Sequence, residues 1–446
     1  MPPSTGPSAG PSVGATSIGA SGLGATIVPD EDDDILEQAP GLLATLGRKL
    51  LLRQLASLHD GELRILDGDN EWRFGARTAR CALSVTIEVL HAQFYADVAF
   101  GGSVGAGSAY IRGLWRCSDL TGLVRLMVVN YELQSGLEGG MARLQRPLLK
   151  LFHWLHRNSR EGSARNIAAH YDLGNGLYEL MLDETMAYSC GIFATPETTL
   201  AEASRAKFEA ACHKLDLKAS DHLLEIGTGW GGLAMYAAER YGCQVTTTTI
   251  SREQHDWARA RIHERGLDGR IKLLLRDYRD LDGQYDKLVS VEMIEAVGAK
   301  YLDTYLAKCA SLLKASGAML LQAITIQDQL YRPALHGVDF IQRYVFPGSF
   351  IPSIAALTSS LTRVTDLKLF HLQDIGPHYA RTLELWRHNF FAQLAKVRQL
   401  GYGEQFIRLW EFYLCYCEGG FAERQLGDVQ MLLTKPDCRR PTLLGA

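Results

Sequence analysis

At 446 residues, 47 % apolar and 22 % charged, the chain has the composition of an ordinary globular enzyme and is long for one core, so two domains and a tail are expected. A formal net charge of −4 argues against a general nucleic-acid binder, and no nucleic-acid partner is expected. Nine scattered cysteines, whose close pair Cys415 and Cys417 lacks a second pair at zinc spacing, suit reduced thiols in a cytoplasmic protein without disulfides or a metal site.

No apolar run reaches the length of a transmembrane helix, and the opening "MPPSTGPSAGPSVGATSIGASG" lacks the basic start and apolar core of a secretory signal. Residues 1–38 read as a disordered tail, Gly/Ser/Ala/Pro-rich to about residue 28 and then acidic from Asp30 to Asp34. Residues 39–135 read as a small α+β domain. Helical periodicity runs from Leu42 to Leu58, and strand-like pieces "GELRILDG", "EWRFG" and "CALSVTIEVL" follow, broken by glycine turns. It holds no catalytic constellation, and packing or lipid docking is its expected role.

Residues 136–160 form a basic amphipathic linker. Arg143, Arg146, Lys150, Arg157 and Arg160 appear with no acid between Gly139 and Arg160, beside Leu148, Leu149, Phe152 and Trp154. Such a stretch suits an anionic membrane surface, and equally a linker helix packed on the next domain; both readings stand. From 161 to 446 strand and helix alternate. Strands are expected at His222–Ile226, Val245–Thr249, Ile271–Leu275, Lys287–Met293 and Met319–Ile326. An aromatic, helix-rich insertion spans 328–362, and late strands at Asp366–His371 and Val429–Thr434 flank a helical block at 379–424. This predicts an α/β fold with a Rossmann-like, seven-stranded sheet and helical insertions.

The stretch "LLEIGTGWGGLAMYAAERYG" reads as a strand, a glycine turn and a helix, a layout shared by NAD, FAD and S-adenosylmethionine (SAM) sites. A dinucleotide site normally carries an acid after the next strand. Here "CQVTTTTIS" has none, and Gln254 follows with an amide able to contact ribose hydroxyls. After the third strand, Asp277 and Tyr278 could take the adenine amino group and ring; the plainer reading makes Asp277 a helix cap and Tyr278 a rim residue. Together these features favour SAM, and with it the SAM-dependent methyltransferase fold.

The stretches "RNIAAHYDLGNGLYELMLDETMAYSCGIF", "LLEIGTGWGGLA", "TTTTISREQ", "LRDYRDL", "VSVEMIEAVG", "DFIQRYVFPGSFIPS" and "YCEGGFAERQLGDVQMLLTKP" run in order from about Asn166 to Pro436. In this order they resemble the cyclopropane fatty acid synthases, including the mycolic acid cyclopropane synthases. The resemblance implies transfer of a methylene from SAM to the cis double bond of an unsaturated phospholipid acyl chain, by way of a carbocation that a bound bicarbonate deprotonates. By the same resemblance Tyr188 and Ser189 contact SAM. Glu225, Gly227, Gly229, Trp230, Gly231 and Gly232 wrap its methionine end, Thr249, Ser251 and Gln254 its ribose, and Asp277 with Tyr278 its adenine.

The resemblance also implies a bicarbonate cluster of Cys190, Glu295, Gln322, Ile324 and Tyr379, with Cys190 and Ile324 acting through the backbone. Two common family histidines are absent, replaced by Gln322 and Ala296. An amide can donate to an anion but cannot hold a proton or a positive charge. Read without the resemblance, Cys190 is an inert buried thiol, Glu295 a capping carboxylate and Tyr379 a core phenol. Gln322 and Ile324, two apart on one strand, share a face. The expected partner is an unsaturated phospholipid at the inner face of the membrane, with the protein peripherally attached; a homodimer is compatible with the sequence but not fixed by it. A fatty-acid C-methyltransferase giving a methyl-branched product and a small-molecule N-methyltransferase remain as alternatives.

Overall fold

The computed structural model describes residues 41–131, 133 and 173–443; the expected tail, the basic segment 136–160 and the start of the matched stretch near Asn166 lie outside the described residues. In the N-terminal part, helix α1 (Leu42–Leu55) precedes β1 (Gly61–Asp67), β2 (Asn70–Ala76) and β3 (Ser84–Val89), and α2 (Gln93–Ile111), β4 (Trp115–Cys117) and α3 (Leu120–Val129) follow. The four strands form one sheet in the order β2-β1-β3-β4. Alternation in β1 buries Leu63 and Ile65 on one face, as a half-exposed strand requires. Helix α2 breaks at Gly102, whose φ of 56° and ψ of −139° lie outside the helical region.

The second part opens with α4 (Asn175–Met181) and α5 (Leu200–Leu215), the latter begun by a Thr199–Glu202 capping box. It continues through β5 (His222–Ile226), α6 (Gly232–Tyr241), β6 (Gln244–Thr249), α7 (Arg252–Glu264), β7 (Ile271–Leu275), β8 (Tyr285–Val291), α8 (Leu302–Ser311) and β9 (Leu313–Ile326). Then come α9 (Asp328–Leu335), α10 (Phe340–Tyr344), α11 (Ile354–Val364), β10 (Lys368–Asp374), α12 (Pro377–Ala392), α13 (Leu394–Gln399), α14 (Glu404–Ala422) and β11 (Leu426–Thr434). The seven strands lie in the order β10-β11-β9-β8-β5-β6-β7. Strands β5 to β9 run parallel, and β11 enters antiparallel between β9 and β10.

The seven-stranded sheet expected from the alternation is therefore present, with shifted boundaries. Strand β9 starts at Leu313 rather than Met319, because Lys314, Ala315 and Ser316 extend it where the chain is exposed and no apolar pattern marks it. The N-terminal sheet does not keep a core to itself. Its Leu63 and Ile65, with Phe94 and Tyr95 of α2, belong to one apolar cluster with Trp386 and Phe390 of α12 and Trp410 and Phe412 of α14. Polar ties cross the same boundary: Tyr110 donates to Glu411 (2.7 Å) and Arg125 to Glu423 (2.7 Å).

Candidate active site

Strand order turns back between β5 and β8, and in an open parallel sheet the crevice outside such a turning point is where ligands bind. The glycine turn leaves β5 here. Gly227, Gly229 and Gly231 have φ values of 102°, 53° and 87°, a region that side-chain-bearing residues seldom adopt. A Cβ on Gly232 would stand 2.6 Å from the Thr185 carbonyl oxygen, so the start of α6 is open to glycine alone.

The threonine run has a structural reason. Thr246 meets His222 (2.9 Å), Thr247 donates to the Glu225 carboxylate (2.5 Å), and Thr248 donates to the Arg276 carbonyl (2.6 Å). Thr249 donates to Gln254 Oε1 at 3.0 Å, which holds that amide at the mouth of the site. These hydroxyls bind the strand ends together where an acid was missed. Glu225 is fully buried, and burial pushes its carboxyl up to about 8.

One cavity of about 970 Å³ opens on this crevice. Of the expected SAM residues, Tyr188, Ser189, Glu225, Gly227, Gly229, Trp230, Gly232, Thr249, Gln254, Asp277 and Tyr278 line it. Gly231 and Ser251 do not; they shape the turn behind it. Gly231 supplies the left-handed N-cap of α6, and Ser251 caps α7 by accepting the Gln254 N–H. Asp277 caps the short turn after β7 and is bound on both oxygens by Arg279 (2.7–2.9 Å). It thus combines the cap reading with a place on the wall. Glu295, Ile324 and Tyr379 line the same cavity, together with the apolar side chains of Ile326, Phe346 and Phe350. The N-terminal part contributes Val104, Val124 and Val128 to this wall.

Set into that wall is a cluster whose centre the sequence reading missed. The residue on which the expected groups converge is Glu292, just past β8, with a left-handed φ of 49°. Its Oε1 accepts the Cys190 N–H (2.9 Å) and Gln322 Nε2 (2.7 Å), and its Oε2 accepts the Tyr379 hydroxyl (2.6 Å). Glu295 stands apart from these, accepting the Ile324 N–H (2.6 Å) on Oε1. Its Oε2 is buried and has no hydrogen-bond partner, and burial, aided by the nearby Glu292, pushes the carboxyl up to about 8. Cys190 and Gln322 are fully buried and do not line the cavity. Burial raises the Cys190 thiol well above its ordinary range, so its contribution is the backbone N–H and not a nucleophilic sulfur.

Gln322 belongs to a row of amides that crosses the sheet. Gln373, Gln430 and Gln322 are register partners on β10, β11 and β9. Lys214 of α5 donates to Gln373 and to Gln430 Oε1 (2.5 Å), and Gln430 Nε2 donates to Gln322 Oε1 (2.9 Å). Lysine can only donate as an ammonium, so every amide down the row is oriented, and Gln322 Nε2 is turned toward the carboxylates. That nitrogen also donates to Asp428 Oδ2 at 2.9 Å. Asp428 is fully buried, and burial and its hydrogen-bonded neighbour Glu292 raise its carboxyl well above the usual range, which keeps it protonated.

Lys207 is the other unforeseen member. It is buried on the apolar face of α5, between Ala203 and Ala211, hydrogen-bonded to Ser189 and next to the Phe208 ring (4.8 Å). Burial lowers its ammonium, while Glu292, Cys190 and Asp428 act in the opposite sense. A lysine on the apolar face of a helix, repeated seven residues on at Lys214, was the available signal for it. For Glu292 the signal was a second acid three residues before Glu295 at a strand end.

The arrangement fits SAM: glycine backbone, a ribose-side amide and an aromatic rim face one hollow. It does not fit bicarbonate in the way expected. The Cys190 N–H, Gln322 Nε2 and Tyr379 hydroxyl already end on Glu292, and the Ile324 N–H ends on Glu295. A further anion would have to displace a carboxylate from these donors. Among the described residues no group of acids, cysteines and histidines is placed to hold a metal ion.

Comparison with known proteins places this geometry. Residues 158–431 match the family model of mycolic acid cyclopropane synthetase. The chain is 39 % identical over 343 residues to the tuberculostearic acid methyltransferase UfaA1 of Mycobacterium tuberculosis, covering 75 % of this chain and 79 % of that protein. It is 34 % identical over 351 residues to the cyclopropane-fatty-acyl-phospholipid synthase of Escherichia coli K12, covering 78 % and 87 %. Among solved structures, the mycolic acid cyclopropane synthase CmaA1 complexed with SAH and CTAB superposes with a TM-score of 0.57 at 30 % identity, covering 61 % of this chain and 98 % of that one.

Proposed function

Because this chain belongs to the mycolic acid cyclopropane synthetase family of SAM-dependent methyltransferases, we propose that it alkylates the cis double bond of an unsaturated phospholipid acyl chain and closes a cyclopropane ring. The observation that carries this reading is the single cavity in which the glycine turn, Glu295 and Tyr379 share walls with Phe346, Phe350 and Ile326. A polar soluble substrate would not need so much apolar surface. An alkene is a weak nucleophile and its alkylation leaves a cation that water would capture, so chemistry of this kind requires a dry site.

SAM supplies the methyl group when bound. The chain's own residues divide the remaining work. The turn from Gly227 to Gly232 and the Thr249–Gln254 pair hold the donor at the carboxyl ends of the strands. Phe346, Phe350 and the valines of α2 and α3 exclude water from the acyl side. Glu292 and Glu295 stand between the two, where positive charge develops and where a proton must leave.

A second outcome at the same cation is a methyl branch, and the 39 % identity to a methyltransferase named for tuberculostearic acid favours keeping it in view. Phospholipid as substrate would put the protein peripherally on the inner face of the membrane; no helix among the described residues is long and apolar enough to cross one. The test is incubation with methyl-labelled SAM and vesicles of monounsaturated phospholipid, followed by mass spectrometry of the released acids. A product heavier by one methylene that resists mild hydrogenation supports the ring. A product that takes up hydrogen, or label that enters soluble amines and no lipid, would overturn it.

A further inference from the structure

We propose that Glu292 is itself the proton acceptor of the reaction, in place of a bound bicarbonate; the assignment rests on the lipid-alkylation reading above. The Glu292 carboxylate occupies the donors that an exogenous anion would require. The backbone N–H of Cys190, the Gln322 amide and the Tyr379 hydroxyl reach it at 2.9, 2.7 and 2.6 Å. All three come from elements far apart in sequence. Glu292 also lines the cavity beside Gly227 and Glu295, within the hollow where the transferred methyl would arrive.

Two features hold the carboxylate there. The first is backbone strain: Glu292 is one of only four non-glycine residues with positive φ among those described, and its N–H is tied to the Gln322 carbonyl at 2.9 Å. A left-handed conformation is strained for a residue with a side chain and persists where surrounding structure enforces it, often at functional sites. The second is the amide row. With imidazole at position 322 the neighbour could exchange protons with an anion. The Gln322 amide, turned by Gln430 and Lys214, can only donate to the carboxylates through Nε2.

The step balances. The alkene π pair forms a bond to the SAM methyl carbon as the S–CH₃ bond breaks, giving S-adenosylhomocysteine and a substrate cation. A C–H bond of the transferred methyl then breaks, its proton goes to Glu292, and its electron pair closes the ring onto the cationic carbon. A proton next to a carbocation is strongly acidic, so placement matters more than the strength of the base. Asp428, hydrogen-bonded to Glu292 and kept neutral by burial, belongs to the same proton-holding group.

The experiment uses the intact protein with labelled SAM and monounsaturated phospholipid vesicles, in buffer stripped of carbon dioxide and in buffer with added bicarbonate. Wild-type turnover is expected to be equal in both. Glu292→Gly suits the left-handed backbone, so it removes the carboxylate without adding strain. It is expected to retain SAM binding within about threefold, to lose on the order of a hundredfold in turnover without bicarbonate, and to recover when bicarbonate fills the vacated donors. Turnover of the wild-type protein that falls on stripping and returns with bicarbonate would overturn the assignment, as would full activity of Glu292→Gly in stripped buffer. If SAM-bound wild type transfers no label to lipid in either buffer, the lipid reading fails and takes this assignment with it.

Discussion

The N-terminal sheet and the carboxyl ends of the seven-stranded sheet use the same charged residue types to opposite ends. In the first, Glu71 lies between Arg64 and Arg73, and Asp60 between Arg80 and Thr78, all near water. In the second, the carboxyls of Glu225, Glu295 and Asp428 are enclosed with few countercharges, and Lys207 is buried beside them. Ion pairs at a surface contribute about 0–1 kcal/mol each. Here the Arg73 and Arg64 hydrogen bonds lower the Glu71 carboxyl, which favours its charged form. Enclosed carboxyls are costly and shift toward the neutral form. That a molecule tolerates three of them in one place indicates work beyond stability.

The comparison sharpens into measurements, beginning with the greatest effect. Glu295→Gln and Tyr379→Phe should keep SAM affinity by calorimetry while losing tenfold to a thousandfold in turnover, the range expected for misplaced proton transfer and lost charge stabilisation. Unchanged turnover in both would return the enclosed acids to a structural role. The amide row should matter next. Gln430→Glu places an oxygen against Gln322 Oε1 and should turn that amide away from Glu292; kcat is expected to fall about tenfold with the SAM Kd unmoved, and more than in Gln430→Met. Equal effects of the two substitutions would show that orientation along the row is unimportant.

Stability should depend on pH in the sense set by the raised carboxyls. Between about 4.5 and about 8 the unfolded chain releases the protons of Glu225 and Glu295 while the folded protein retains them, so stability falls as pH rises through that window. Glu225→Gln should flatten the fall of Tm with pH, and an unaltered slope would count against its burial as a neutral acid. The smallest effect belongs to the surface sheet. Arg80→Ala should change unfolding free energy by less than about 1 kcal/mol in a denaturant titration, and a larger loss would erase the contrast between the two regions.

The cofactor side of the site was legible because its signals are local. Glycines that need positive φ and short apolar strands are each contained in a few residues, whereas Ser251, expected at the ribose, is a helix cap outside the cavity. The missing acid after β6 was noticed for the same reason, although its explanation needed the two neighbouring strands: Glu225 on β5 and Arg276 beyond β7. Resemblance brought out Glu295, Tyr379 and Cys190, and the structure does bring their surroundings together. It named Glu295 and passed over Glu292 in the same short stretch, where the turn at φ 49° brings the second acid to the Tyr379 hydroxyl.

From its own pattern the sequence determined the order of strands and helices, the glycine turn and the choice of SAM over a dinucleotide, since each depends on neighbours along the chain. Tertiary structure alone decided that the N-terminal sheet shares its core with α12 and α14. It also decided that Gln373, Gln430 and Gln322 form one row, and that the Cys190 N–H, the Gln322 amide and the Tyr379 hydroxyl converge on Glu292. The amide row follows from β11, which starts at residue 426 and runs antiparallel to β9, a pairing between distant parts of the chain that no local periodicity records.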